Sequence, residues 1–129
     1  MKPIVACLIT CMTASMISPA IAASCAPIDE VDAQRALCKD KQQEVRLPSG
    51  GRADCVDETH AIEVEFTDGW AEALGQSLYY ASALDKKPAI YLVCCNTQKN
   101  CLAHSLRLEQ TIRKWGLDVD VQKFDASQF

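Results

Sequence analysis

GRADCVDETHAIEVEFTDGWAEALGQSLYY, residues 51–80, is the stretch whose reading decides the fold of this chain. Near its centre Ile62, Val64 and Phe66 alternate with Glu63 and Glu65, the period of a strand with two distinct faces. At Thr67-Asp68-Gly69 the period changes. Trp70, Leu74, Ser77, Ala81 and Leu84 then recur at helical spacing and form a stripe able to pack on a sheet, until Lys86-Lys87-Pro88 ends the helix. Upstream, residues 52–56 read as a shorter strand joined to 60–66 by the polar run Asp57-Glu58-Thr59. Strand, tight turn, strand and helix therefore follow one another within about thirty residues.

Working outward, Leu47-Pro48-Ser49-Gly50-Gly51 is a turn on composition, preceded by a strand at 44–47. Residues 29–43 read as a polar helix whose modest apolar side comes from Val31, Ala33, Ala36, Leu37 and Cys38. Downstream, Ala89 to Cys94 is an unbroken apolar run, as expected of a central buried strand. A helix over Leu102 to Trp115 carries Leu108, Ile112 and Trp115 at i, i+4 and i+7, stops at Gly116, and precedes an alternating strand over 117–124. The order α-β-β-β-α-β-α-β begins with hairpins and ends with crossovers, which implies an α/β fold with a mixed sheet flanked by helices.

The first 22 residues have the marks of a secretory signal peptide. Lys2 is followed by the apolar, uncharged Ile4 to Ile17, then Pro19 and the small-residue sequence Ala20-Ile21-Ala22. Export to the periplasm or beyond the cell is expected, with residues 23–129 forming a single domain and no stable membrane insertion. A lipid anchor at Cys25 is the alternative, against which Ala22-Ala23-Ser24 counts as a poor lipidation sequence. Cys7 and Cys11 would leave with the leader, and Cys25, Cys38, Cys55, Cys94, Cys95 and Cys101 would remain. An even number in an exported chain favours disulfides, with Cys95–Cys101 the expected local pair. Zinc on Cys94, Cys95, Cys101 and His104 is the rival, although the spacing lacks the usual C-x2-C pairing.

The whole chain has 13 Lys and Arg against 17 Asp and Glu, a formal net charge of −4, and loss of Lys2 makes it more acidic. That balance argues against tight non-specific binding of nucleic acid through a basic surface. It does not argue against a metal site, which needs carboxylates. Glu63 and Glu65, at i and i+2, project from one face of their strand, and Asp54 on the neighbouring strand reaches the same point. Glu72, Gln76 and Tyr80 lie four apart along one edge of the following helix, opposite its apolar stripe. Clustered hard oxygen ligands suit Mg²⁺ or Mn²⁺, which polarises a phosphoryl oxygen and activates water. Taken singly, each carboxylate reads as a solvated charge; the ordered set points to a site. His60 and His104 have no nucleophile in a recognisable motif, and Gly50-Gly51 lacks the lysine and spacing of a phosphate-binding loop.

At these residues the chain resembles the PD-(D/E)XK nucleases, the restriction-endonuclease-like superfamily, and most nearly its RecB-type and Holliday-junction-resolvase-type branches. Gly51-Arg52-Ala53-Asp54 is similar to the Gly-x-x-Asp metal motif, and Glu63-Val64-Glu65 stands where (D/E)-x-K belongs. Gln76-Ser77-Leu78-Tyr79-Tyr80 resembles the Gln-x-x-x-Tyr signature of the next helix. The likeness covers residues 44 to 95. It implies a restriction-endonuclease-like fold, a metal held by Asp54 and Glu63, Asp54, Glu63 and Glu65 as the catalytic set, and Glu72, Gln76 and Tyr80 positioning a DNA substrate. The departure is Glu65, which replaces the lysine that stabilises developing charge. Arg52, Lys86 and Lys87 are the nearby cations by sequence. Two functions follow: an exported metal-dependent nuclease of weak turnover, or an exported binding module that keeps the fold without the chemistry.

Overall fold

The structure, a computed structural model, describes residues 28–95 and 99–129. The expected leader (1–22) and Cys25 lie outside the described residues. Strands β1 (Gln42–Arg46), β2 (Arg52–Val56), β3 (His60–Phe66), β4 (Lys87–Cys94) and β5 (Asp120–Asp125) form one mixed sheet in sequential order. β1, β2 and β3 pair antiparallel, whereas β3, β4 and β5 are parallel. Helix α1 (Glu30–Leu37) precedes the sheet, α2 (Trp70–Leu84) connects β3 to β4, and α3 (Cys101–Trp115) connects β4 to β5. The chain is thus α/β, with a five-stranded mixed sheet between helices.

Alternation along β3 and β4 explains the layering. Ile62, Val64, Phe66, Tyr91 and Val93 form a core with Ala33 of α1 and the Cys38–Cys55 sulfurs. Ile90 and Leu92 point the other way, onto Ala73 and Leu74 of α2 and Leu108 of α3. Leu117 and Val119 pack at the rim of that second core. They do so without strand pairing, so β5 begins at Asp120 rather than at 117.

The α1 helix is shorter than the expected 29–43. Asp29 starts it, its Oδ1 accepting the Asp32 N–H at 2.8 Å, as an N-cap does. It ends at Leu37, and Gln42 and Gln43 instead pair with Val56 and Cys55 in β1. Tertiary pairing and the Cys38–Cys55 disulfide override a polar, helix-compatible composition.

The expected Cys95–Cys101 pair is also corrected: Cys94 joins Cys101, while Cys95 is buried in the first core and disulfide-bonded elsewhere. Cys94 ends β4 on the α3 side, and the next residue points across the sheet. These disulfides fit folding in an oxidising compartment. They also occupy three of the four ligands of the zinc alternative. Among the described residues no helix is long and apolar enough to cross a membrane.

Candidate functional site

β2 and β3 pair at Cys55–Ile62 and Val56–Ala61, and beyond Cys55 they separate. Asp54 fills the opening. Its Oδ2 accepts the Val64 N–H at 2.8 Å, replacing the carbonyl that a continued ladder would supply. On β1, Glu44 takes a left-handed backbone (φ 56°), an uncommon conformation for a residue with a side chain. The Gln34 Nε2 ties this region together, donating to Glu44 Oε1 at 2.6 Å and to the Asp54 carbonyl at 3.1 Å. Arg52 closes the arrangement with an ion pair to Glu44 at 2.5 Å.

The separated strands and α2 form the walls of an open cleft of about 410 Å³. Asp54, Glu63, Gln76 and Tyr80, all singled out from the sequence, line it together with Gly51 and Arg52. Two further lining residues, Glu30 and Arg46, were not anticipated. Gly51 carries a positive φ of 96°, and a Cβ there would sit 3.4 Å from the Tyr80 ring. The hairpin turn is held by Tyr79, whose hydroxyl meets Ser49 Oγ at 2.6 Å and donates to the Gly50 carbonyl at 3.2 Å. Tyr79 is therefore structural, and Tyr80 is left to the cleft.

Glu65 and Glu72, expected in the catalytic and substrate-positioning sets, do not line the cleft. Glu65 Oε1 accepts the Phe66 N–H at 2.8 Å, and its carboxyl lies over Gly69, where an added Cβ would come within 2.5 Å of Cδ. Glu72 accepts from Gln76 Nε2 at 2.9 Å, which orients the amide along the helix. Lys86 and Lys87 are remote. Lys87 pairs with His60 and Glu65 with Leu92, so five residues, or about 17 Å of strand, separate that end of the sheet from Glu65. Lys86 donates to the Glu58 carbonyl at 2.7 Å and lines a different hollow of about 470 Å³, which contains none of the expected site residues. Among the cations named from sequence, only Arg52 reaches the cleft.

Burial and mutual repulsion dominate the electrostatics. Glu63 is only 5 % exposed. Its pKa is pushed up to about 9, by desolvation first and then by the charges of Asp54 and Glu65. Its Oε2 is buried without a hydrogen-bond partner. Desolvation also raises Asp54 to about 6, against the Val64 hydrogen bond that favours its ionised form. Glu65 rises to about 8 through burial and the adjacent Glu30, with which it shares a hydrogen bond, and Glu30 is raised as well. Burial and the shared hydrogen bond therefore favour a proton on the Glu30–Glu65 pair, which lessens the negative charge in the lysine's place.

Among the described residues, no three His, Cys, Asp or Glu side chains are arranged to enclose a metal ion. Mg²⁺, however, keeps several waters and is commonly bound through one or two carboxylates. Asp54 and Glu63 fit that demand, since an orphaned buried oxygen beside a second carboxylate gains a partner from a cation. The stretch 51–80 supplies six of the eight lining residues, among them the expected site residues Asp54, Glu63, Gln76 and Tyr80. Glu30 and Arg46 come from elements placed beside it by the sheet and by α1, which no local pattern reveals. Comparisons with protein-family models, curated proteins and solved structures return no match to this chain.

Proposed function

We propose that this chain is an exported, metal-dependent nuclease-like protein of restriction-endonuclease-like fold, acting on DNA phosphodiester bonds. The observation that carries the reading is the unpartnered, buried Oε2 of Glu63, a residue that lines a polar cleft together with Asp54. A buried carboxylate held in this state is destabilising, and a site that binds a cation offsets that penalty. Asp54 and Glu63 would hold Mg²⁺ or Mn²⁺. When bound, the ion supplies Lewis-acid activation of the phosphoryl group and a more acidic water.

The chain's own residues divide the remaining work. Val64 N–H fixes one Asp54 oxygen, so the other is free to turn to the cleft. Arg46 and Arg52 bring positive charge to a cleft otherwise rich in carboxyl groups and suit the non-bridging oxygens of a phosphate. Tyr80 and Gln76, on successive turns of α2, position the backbone of the strand being held. Glu65 replaces the superfamily's lysine and is engaged by Glu30 and Phe66 N–H, which keeps it out of ion binding in this arrangement.

That engagement also favours the second reading, an exported binding module without turnover. Incubation of the mature protein with labelled single- and double-stranded DNA in Mn²⁺ separates the two. Slow cleavage, abolished by Asp54→Asn and by EDTA, is the expected result. Metal binding without cleavage of either substrate would leave the binding module as the correct reading.

A further inference from the structure

The chain has two tryptophans, and neither belongs to the carboxylate cleft. Both line a third open pocket, of about 310 Å³, built mainly on α3 beside the start of α2, together with Arg107, Gln110, Thr111 and Lys114. That volume lies at the lower end of the range of small-ligand sites. Trp115, at the last turn of α3, is 73 % exposed, far more than an indole placed for stability. Trp70 is half-buried at the start of α2 and lines the same pocket.

The charge at this pocket reverses that of the protein. No Asp or Glu lines it, and among the described residues neither Arg107 nor Lys114 makes an ion pair. Among the described residues Arg107 reaches the ring of His104, at 3.5 Å, while Thr111 Oγ1 is directed back to the Arg107 carbonyl. Two unpaired cations beside two indoles on a chain of net charge −4 constitute a local feature, not the overflow of a basic surface.

From this combination we infer that the α2–α3 pocket binds single-stranded nucleic acid, with a base stacked on the exposed indole of Trp115 and flanking phosphates on Arg107 and Lys114. Indoles are sequence-tolerant stacking platforms, and neighbouring cations follow the backbone between bases. Gln110 offers amide donors and an acceptor to the base edge. An anionic membrane surface is the competing occupant, because Leu102 and Leu106 of α3 are also exposed. Neither leucine lines the pocket, so its apolar contact surface comes from the indoles alone.

The pocket shares no lining residue with the carboxylate cleft, so its test is independent of the metal-dependent reading. Fluorescein-labelled oligothymidylate of fifteen residues is titrated with mature protein in EDTA, followed by anisotropy and tryptophan quenching. Wild type binds, and affinity falls about sevenfold between 50 and 200 mM salt for two phosphate contacts. Trp115→Ala, with its fold checked by circular dichroism, weakens binding roughly fivefold or more, whereas Trp115→Phe retains it. Arg107→Ala with Lys114→Ala removes most of the salt dependence. Equal affinity in wild type and Trp115→Ala overturns the inference. So does binding to phosphatidylglycerol vesicles without binding to the oligonucleotide, or quenching by thymidine monophosphate as strong as by the strand.

Discussion

Replacing Glu63 by glutamine should make the metal-free protein more stable, by an amount that grows with pH. In the folded protein this carboxyl is raised to about 9, against an ordinary 4.5. Folding above pH 4.5 therefore takes up a proton. The sign follows from linkage: a group with a raised folded pKa contributes its full stability below the unfolded value and loses it as pH rises toward the folded one. Each pH unit across that window costs about 1.4 kcal/mol. Glutamine has nearly the shape of the protonated acid and does not titrate. The advantage of Glu63→Gln is close to zero at pH 4.5, at most about 3 kcal/mol at pH 7 and at most about 5 kcal/mol at pH 8. Glutamine's second amide hydrogen adds a cost independent of pH, so the slope is diagnostic and the absolute difference is not. Urea denaturation of both proteins in EDTA at pH 5, 7 and 8, with disulfides intact, measures it. A stability difference that stays flat across these pH values would refute the assignment of Glu63 as a buried, protonated acid.

Three other outcomes follow from the same structure. Gly69→Ala places a Cβ 2.5 Å from Glu65 Cδ and should cost about 1–3 kcal/mol, whereas Gly75→Ala, with open space around it on α2, should stabilise by about 0.5–1 kcal/mol; chemical denaturation of the pair at pH 7 checks both. Cys38→Ala with Cys55→Ala opens a link spanning 17 residues and should lower stability by about 2–4 kcal/mol, read from the shift in urea midpoint. Apparent Mn²⁺ affinity should rise about tenfold per pH unit between pH 6 and 8, because a ligand with a pKa of about 9 must release its proton; calorimetry in buffers of different ionisation enthalpy counts that proton directly.

What could be read from the sequence was what depends on local period. The alternation from Ile62 to Phe66 and the spacing of Glu72, Gln76 and Tyr80 placed their residues on β3 and α2 as observed; the apolar run before Cys94 is an interior strand, β4, but the centre of the sheet is β3. Glu65 and Asp54 were likewise put on the right strands, although the sequence gives no sign that Asp54 would substitute for a ladder carbonyl. Positions decided by distant partners were not legible. Gln42 and Gln43 look helical until Val56 and Cys55 pair with them. The choice between Cys94 and Cys95 as partner of Cys101 rests on one residue of strand phase. Arg46 reaches the cleft because β1 pairs it with Arg52 of β2, and Glu30 because α1 packs on β3.

Titration calorimetry of Mn²⁺ into the mature protein at pH 7.5, on wild type, Asp54→Asn and Glu63→Ala, tests the central claim most directly. The account predicts one site per wild-type chain and loss of binding in both variants, each of which retains the wild-type circular dichroism spectrum. A wild type that binds no Mn²⁺ at millimolar concentration, or variants that bind it as tightly as wild type, would contradict the assignment of Asp54 and Glu63 as a cation site.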